Sequence, residues 1–318
     1  MSLDRPPIFL PQADDTLIPP HRAAWRDTWV DVGLDLPGYP PPPAVYRQLL
    51  DETRGLRLTG QAALCFFVHK PPGLRWRLQT AGSTTPVELR RAATAAAGRI
   101  VGADRVRSAV YEPQQALFGG EHSMGFVHRT WSADSLLWMG WHAGTGRPSA
   151  AGRWDLSFRA LAHVFTRLGV VGWEDREVWD CVSEDTGRRL AEHEWARPEV
   201  VALSGSLRSH WNSVWGAPRV ERSAETGAGA SSTGPDGDRG LDLVREFAAD
   251  TGPVFADWHA QCLSRPLVRH PLTPRRAAAY WTVFHWNRAG LTSAQQALAA
   301  QTLAGRETGA ASVGRSVR

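Results

Sequence analysis

The stretch that most constrains the fold runs from Ala63 to Leu78, where two apolar runs flank a Lys-Pro-Pro-Gly turn at 70–73. Prolines followed by glycine favour a reversal of the chain, so the stretch predicts a β-hairpin. The second run alternates as Leu-Arg-Trp-Arg-Leu, which predicts Arg75 and Arg77 on one face of a strand and Trp76 on the other. Because guanidinium groups are not buried unpaired, their face is either solvated or lines a site for carbonyls or carboxylates.

The composition narrows the classes of protein. The 318-residue chain has a net charge of only +4, and all its basic residues except Lys70 are arginines. No dense basic run with interleaved aromatic residues occurs, so no nucleic-acid partner is predicted. The three cysteines lack CxxC spacing and predict reduced thiols in a cytoplasmic protein, and no signal pattern or long apolar run predicts secretion or a membrane span. Fifteen tryptophans favour either a surface for flat or peptidic ligands or a tryptophan-rich core.

Residues 24–112 are predicted to contain six elements. Alternation predicts a strand at Thr28–Leu36, and helical spacing of apolar residues predicts a helix at Ala44–Arg54. After the hairpin, a capping box from Thr85 to Glu88 with proline at the first helical position predicts a second helix, ending near 100. A short strand is predicted at Asp104–Tyr111. The order matches the ferredoxin-like βαββαβ unit, an antiparallel sheet with two helices on one face.

Residues 113–303 are predicted to be helical, so the predicted fold class is α+β, with the ferredoxin-like sheet packed against a larger helical half. The predicted helices are Gly120–Trp131, Ser135–His142, Leu156–Leu168, Trp173–His193, Pro198–Ser213, Leu241–Leu263 and Thr273–Leu303. A stretch rich in small and polar residues predicts a disordered loop near 221–240. Residues 1–23 are predicted to be an extended arm and residues 304–318 a flexible tail.

Two segments contain residue types that carry chemistry. The first leads from Tyr111 to a Gly-Gly pair at 119–120, where glycines permit close approach to a ligand, and Asp134 follows it. Asp134 is explained more simply as the N-cap of a helix. The second segment puts His285 one helical turn from both Trp281 and Arg288. Histidine is the usual proton carrier near neutral pH, but a histidine among aromatic residues is more often part of a core.

Common motifs for cofactors and metals are absent from the sequence. No HExxH or Cys/His cluster, Walker loop, GxGxxG after a strand or GxSxG elbow occurs. The sequence therefore predicts neither a metal site nor a bound cofactor.

Three segments together resemble one family. The hairpin CFFVHKPPGLRWRLQ, the segment YEPQQALFGGEHSM with the later Asp-Ser pair, and HWNRAGL resemble segments of the C-terminal elimination domains of lantibiotic dehydratases, in the family's order. The resemblance covers most of residues 24–300. Stand-alone versions of this domain are known as split dehydratase subunits and as thiopeptide pyridine synthases. The resemblance implies a modified precursor peptide with its leader as partner, and it allows contacts with the dehydratase and azole-forming enzymes and a homodimer.

Departures from the family pattern favour the pyridine synthases. The elimination enzymes carry a Glu and an Arg where this chain has Gln114 and Leu117, which cannot act as a base or a cation. The implied reaction is a formal [4+2] aza-cycloaddition between two dehydroalanines of a linear, azole-containing precursor, with loss of water and of the leader as an amide. The product is a macrocycle closed by a pyridine ring, and the reaction requires neither a metal nor a redox cofactor.

The resemblance also implies roles for single residues. His285 would handle protons, Tyr280 would be a reserve donor, and Arg288 with Asn287 would hold the amide. Arg75 and Arg77 would bind backbone carbonyls or assist the departing oxygen. The remaining residues assigned to substrate binding are His69, Trp76, Tyr111, Gln114, Asp134, Ser135, Trp281 and Trp286.

This hypothesis makes two structural demands. The two strand arginines and His285 must face one trough between the sheet and the helices, and the leader is expected to bind near the sheet by strand addition at an edge. Two alternatives remain open. One is a split elimination subunit acting on glutamylated Ser/Thr, and the other is a non-catalytic module that presents the precursor to other enzymes.

Overall fold

The computed structural model describes residues 28–144, 149–216, 235–264 and 272–305, which form an antiparallel sheet and a larger set of helices. The strands are β1 (Trp29–Asp35), β2 (Ala62–Lys70), β3 (Gly73–Thr80) and β4 (Val106–Ala109). The helices are α1 (Pro43–Leu58), α2 (Pro86–Val101), α3 (Glu121–His142), α4 (Ala150–Arg167), α5 (Asp175–Asp185), α6 (Glu192–Trp195), α7 (Pro198–Trp215), α8 (Pro235–Leu263), α9 (Pro274–Arg288) and α10 (Ser293–Leu303). The α+β class predicted from the sequence is confirmed. The predicted arm at 1–23 and the tail from 306 onward lie outside the described residues.

The sheet has the strand order β2-β3-β1-β4, and every neighbouring pair is antiparallel. Trp76 of β3 lies between Val32 of β1 and Phe67 of β2, and all three side chains are fully buried on one face. Arg75 and Arg77 therefore point to the opposite face, so the hairpin and its alternation are confirmed. The alternation of residues in β3 was therefore enough to predict that both arginines lie on one face of the sheet.

The predicted start of α2 is confirmed in atomic detail. The Thr85 hydroxyl accepts a hydrogen bond from the Glu88 N–H, and the Glu88 carboxylate accepts one from the Thr85 N–H. Proline follows at the first helical position, where its missing N–H costs no intrahelical bond. The helix buries Leu89 and three alanines, and it packs against β1.

The edge strand β2 is covered along its centre by helical side chains. Ser132 of α3 accepts from the Cys65 N–H at 3.0 Å and donates to the Cys65 carbonyl at 2.8 Å. Ser135 accepts from the Phe67 N–H at 3.1 Å, and Arg288 of α9 donates to the Phe67 carbonyl at 3.1 Å. These contacts occupy the backbone groups that an added strand would need. The predicted leader strand therefore has β4 as its remaining edge.

Several predicted helix boundaries are wrong. α3 runs unbroken through Asp134, so this residue is not an N-cap. The predicted helix Trp173–His193 is two helices, α5 and α6, with Gly187 between them at a φ of 66°. The predicted helix Thr273–Leu303 is likewise divided, because Gly290 takes a φ of 72° after α9. Residues 235–240 of the predicted loop begin α8, and residues 221–234 lie outside the described residues.

Candidate functional site

The register between β1 and β3 places an aspartate beside the two strand arginines. Asp31 lies opposite Arg77, and Gly33 lies opposite Arg75. Arg77 donates from Nε to Asp31 at 3.0 Å, whereas Arg75 Nη1 lies 3.8 Å from the other carboxylate oxygen. A Cβ at Gly33 would already lie 3.5 Å from Arg75 Nη1, so a longer side chain there would compete with the guanidinium for space. Thus the arginine face is a paired, partly buried cluster.

A tyrosine and a histidine complete this cluster. The Arg77 guanidinium lies 4.8 Å from the centroid of the Tyr111 ring, and the Tyr111 hydroxyl lies 2.7 Å from His128 Nε2. Burial, with a smaller effect from the Arg77 charge, lowers the pKa of His128 to about 3, so its imidazole is neutral at pH 7. Burial raises the pKa of Tyr111, so the phenol keeps its proton and donates it to the imidazole. We call Asp31, Arg75, Arg77, Tyr111 and His128 the sheet-face site.

The sheet-face site has unmet hydrogen-bonding capacity and an adjoining cavity. Arg75 Nη1 and Asp31 Oδ1 are both buried and have no hydrogen-bond partner within the described parts of the chain. Such atoms carry a free-energy cost unless a ligand or water satisfies them. A cavity of about 400 Å³ lies beside His128, and its polar lining comes from Gln79, Glu121 and His122. Since Arg75 is 25% exposed and Arg77 14%, a ligand can reach both.

His285 lies in a different place, inside the helical half. Its Nδ1 is 2.6 Å from Asp134, and its Nε2 is 3.0 Å from the Ser157 hydroxyl. The other Asp134 oxygen accepts from Arg288 at 3.0 Å. Ser157, Asp134, His285 and Arg288 are all 0% exposed, and we call them the buried network.

The hydrogen bonds of the buried network assign the proton on His285. Nδ1–H donates to the Asp134 carboxylate, and Nε2 accepts from Ser157, whose oxygen in turn accepts from the Trp286 indole N–H at 3.1 Å. The Trp138 indole N–H lies 3.1 Å from the same Nδ1, and we assign the proton to the shorter contact with the carboxylate. Burial lowers the pKa of Arg288 to about 10, so Arg288 stays cationic at neutral pH. Both ring nitrogens of His285 are therefore committed to protein partners.

The predicted common trough is not found among the described residues. The Arg77 guanidinium lies 5.6 Å from the Phe66 ring centroid, and the Arg288 guanidinium lies 5.7 Å from it. Phe66 is fully buried and its ring contacts both guanidinium groups, whereas His285 of the buried network has no exposed surface. His285 is thus enclosed by protein, and its placement argues against direct contact with a substrate.

Other predicted site residues are dispersed. Tyr280 donates to Asp185 of α5 at 3.1 Å and does not join His285. Gln114 is exposed in the segment before α3. Trp76, Trp281 and Trp286, predicted to bind substrate, are core residues with no exposed surface, and Ser135 is buried against β2. The tryptophan rings pack against other core residues; Trp281, for example, stacks on His285 with the ring centroids 5.2 Å apart.

His69 and Asn287 meet at a third location, near the tip of the hairpin. The His69 Nδ1 lies 2.7 Å from the Asn287 carbonyl, and its Nε2 lies 2.6 Å from the Tyr46 hydroxyl. Burial lowers the pKa of His69 to about 4, so this imidazole too is neutral at pH 7. Both residues line a cavity of about 490 Å³, which we call the hairpin pocket.

Sequence reasoning missed Asp31, His128 and Ser157. Asp31 had a signal, because alternation in β1 puts it on the polar face, but no sequence feature says that β3 is its neighbour. His128 and Ser157 belong to no recognisable local motif, and their partners Tyr111 and His285 stand 17 and 128 residues away in sequence. Only the tertiary fold brings them together.

No described helix is both long and apolar enough to cross a bilayer. Among the residues that the structure describes, no three His, Cys, Asp or Glu side chains converge in a way that could hold a metal ion.

Residues 45–306 match the family model described as the C-terminal part of lantibiotic biosynthesis dehydratases, and the chain belongs to this family. The chain is also similar to the tRNA-dependent lantibiotic dehydratase MibB from Microbispora sp. 107891, with 15% identity and a TM-score of 0.59. This likeness covers 88% of the chain but only 28% of MibB, and it shows a shared fold. No curated protein matches the sequence.

Proposed function

We propose that this protein acts in the biosynthesis of ribosomally made, modified peptides and closes a linear precursor by formal [4+2] aza-cycloaddition. The observation that carries the proposal is the composition of the sheet-face site. It offers reachable guanidinium donors and a neutral Tyr–His pair, and its one carboxylate, Asp31, is already bound by Arg77. Such a site can hold and polarise amide oxygens, but it lacks a free carboxylate to act as a base beside the arginines. The strand order β2-β3-β1-β4 separately supports a ferredoxin-like description of the sheet half.

The chemistry needs positioning and proton movement. One dehydroalanine becomes a 2-azadiene when the proton on its amide nitrogen moves to the amide oxygen. Two carbon–carbon bonds then form to the second dehydroalanine, and the ring becomes aromatic by losing water and the leader as an amide. Holding the two residues together can supply roughly 7–11 kcal/mol of the barrier at the favourable extreme.

The sheet-face residues fit these steps. The Arg75 guanidinium, whose side chain is 25% exposed, would bind the oxygen that becomes the departing water. Arg77 would hold a neighbouring carbonyl while Asp31 fixes its orientation. Each departing group leaves with one proton that the ring loses, and the Tyr111–His128 pair would relay that proton from the ring to the departing oxygen or nitrogen. The buried network would then act on the reaction only by holding α3 and α9 against β2.

The test is mass spectrometry of a dehydrated, azole-bearing precursor incubated with the purified protein. The expected result is loss of one water together with release of the leader amide. Arg77→Ala should lower turnover by about 10²-fold or more, since it removes a preorganised donor. The matched control is Arg107→Ala, which removes a guanidinium from the same sheet face. The Arg107 side chain is 70% exposed and pairs with Asp35. Parental turnover by the Arg75→Ala/Arg77→Ala double variant would refute the proposal.

A second candidate function, glutamate elimination from glutamylated Ser/Thr, is favoured by one observation. Glu121 lines the cavity beside His128 and supplies a carboxylate that Gln114 does not. In that reaction Glu121 would remove the α-proton while the arginines bind the leaving glutamate carboxylate. A glutamylated peptide is the deciding substrate, because it would lose glutamate with the parental protein and not with Glu121→Gln. Under the cycloaddition proposal the glutamylated peptide stays unchanged and Glu121→Gln keeps the parental rate of pyridine formation.

A further inference from the structure

The hairpin pocket has the size and lining of a ligand site, yet the sheet-face reaction does not use it. It lies where the β2–β3 turn, the β1–α1 loop and the α9–α10 turn meet, and its volume is about 490 Å³. Small-molecule sites in proteins commonly measure about 300–1,000 Å³ and combine apolar walls with a few polar groups. Here the walls come from Leu36, Pro37, Tyr39, Pro71, Pro72 and Leu291. Tyr39 keeps 60% of its surface exposed beside the cavity, so an apolar ligand would cover it.

The charge of the pocket favours an anionic ligand. Lys70, the single lysine of the chain, is exposed at the pocket, and no ion pair to it occurs among the described residues. No lining residue is an aspartate or glutamate. His69 is neutral, and both its nitrogens are engaged by Tyr46 and Asn287, so Lys70 is the pocket's cation.

Two neighbouring groups add hydrogen-bond donors at the same wall. The Asn287 side-chain oxygen accepts from Gln296 at 3.0 Å, which leaves the amide N–H₂ of Asn287 to donate elsewhere. Helix α10 begins at Ser293, and Thr292 caps it by accepting from the Gln295 N–H. The N–H groups of Ser293 and Ala294 lack intrahelical acceptors and lie at the positive end of the helix. A cation, an amide and a helix start thus converge on a cavity whose other walls are apolar.

We propose that the hairpin pocket binds a carboxylate carried by an apolar body. The carboxylate would sit at Lys70 and the start of α10, and the body would lie against the prolines and Tyr39. This chemistry is shared by a small branched fatty acid and by an acidic residue next to leucine in a peptide. The site is independent of the reaction at the sheet-face site.

Binding is tested by calorimetry with two matched pairs of probes on the intact chain. The first pair is 4-methylpentanoate and 4-methylpentanamide, and the second is acetyl-Leu-Glu-amide and acetyl-Leu-Gln-amide. Each acid should bind about tenfold or more tightly than its uncharged partner, because hydrogen bonds to charged groups are the stronger ones. Binding of the peptide acid alone identifies a peptide segment as the ligand, and binding of both acids shows that the carboxylate with its short apolar body suffices. Equal affinity within each pair, or no binding by either acid, would overturn the proposal.

The lone lysine gives a second, site-specific readout. The acid that binds should slow the acylation of Lys70 by an amine-reactive reagent, measured by mass spectrometry, and Lys70→Gln should weaken its binding about tenfold. Ser293→Pro removes one helix-start N–H without breaking α10, because proline is tolerated at the first helical position and Thr292 is already extended at φ −67° and ψ 158°. Ser293→Pro should weaken binding several-fold, whereas the control Ser293→Ala should not. Unchanged acylation of Lys70 at saturating acid would place the ligand elsewhere and refute the assignment.

Discussion

Two aspartates, one buried and one partly exposed, each bind a histidine and an arginine, and comparing them tests the buried network directly. Asp134 binds His285 at 2.6 Å and Arg288 at 3.0 Å, and none of the three side chains is exposed. Asp155 binds His210 at 2.9 Å and Arg159 at 2.8 Å, but its side chain is 35% exposed, and those of His210 and Arg159 are 29% and 40% exposed. Replacing each aspartate by asparagine keeps the shape and removes one negative charge. The two variants therefore differ chiefly in burial.

The expected losses differ by several kcal/mol. Asp134→Asn leaves the Arg288 cation without its counter-charge in a site closed to water, and breaking a buried pair in this way costs about 3–5 kcal/mol. Asp155→Asn removes a pair that water already screens, which costs about 0–1 kcal/mol. Burial of the Arg288 charge causes most of the larger loss, because the Asp134 carboxylate is the main contact that keeps this guanidinium protonated.

Urea unfolding followed by circular dichroism at pH 7 measures both free energies. The midpoint should fall strongly for Asp134→Asn and hardly at all for Asp155→Asn, with the dependence on urea concentration unchanged. Losses within about 1 kcal/mol of each other would show that burial does not set the strength of these contacts, and the structural role given to the buried network would be wrong.

Three further predictions follow from single contacts. Ser135→Ala should lower the free energy of unfolding by about 1–3 kcal/mol in urea, because it leaves the Phe67 N–H buried without an acceptor, whereas Ser206→Ala on the exposed side of α7 should change it little. Acidification should destabilise the fold, because burial lowers the pKa of His69 and His163 to about 4 and of His128 and His142 to about 3. The unfolded chain takes up these protons below about pH 6.5 and the native state does not, so each histidine removes about 1.4 kcal/mol per pH unit from there down to its folded pKa. Urea titrations at several pH values measure how the free energy of unfolding changes with pH. His163→Leu should reduce this slope by the equivalent of about one proton. Tyr280→Phe should leave pyridine formation within about twofold of the parent in the mass-spectrometric assay, because its hydroxyl only contacts Asp185, and a large loss would restore Tyr280 as a proton donor.

The local patterns that predicted the sheet are those in which neighbouring residues decide the outcome. Alternation in β3 and the capping box at Thr85 depend on the backbone within a few residues, and both are confirmed. The predicted βαββαβ unit accounts for the strands forming one sheet, but the register that puts Asp31 opposite Arg77 depends on contacts across the chain and had no sequence signal. The sequence thus predicted the strand face that carries Arg75 and Arg77, but not Asp31 as the carboxylate that pairs with them.

Asp134 shows why local rules fail where tertiary contacts outweigh them. An Asp-Ser pair favours a helix start, because short polar side chains can cap exposed N–H groups. In the fold both side chains instead point out of a continuous helix, Asp134 to Arg288 and Ser135 to the edge of β2. The tryptophan count left a core and a surface equally open, because a count of aromatic residues does not distinguish the two. Trp179 and Trp286, stacked 5.7 Å apart, belong to the core.

The separation of the buried network from the sheet-face site changes what a loss of activity would mean. Arg288 and Ser135 hold Phe67 of β2, and β2 pairs with the strand that carries Arg77. Asp134 and His128 also share helix α3, so damage to the network reaches the site through the packing of the sheet and of α3. A fall in turnover for Asp134→Asn should therefore track its fraction of unfolded molecules and disappear when cooling or a stabilising osmolyte refolds the variant. Arg77→Ala should stay inactive under the same conditions, because it removes a donor from the site itself. If refolded Asp134→Asn remains as inactive as Arg77→Ala, the buried network takes part in the chemistry and the division between the two sites is wrong.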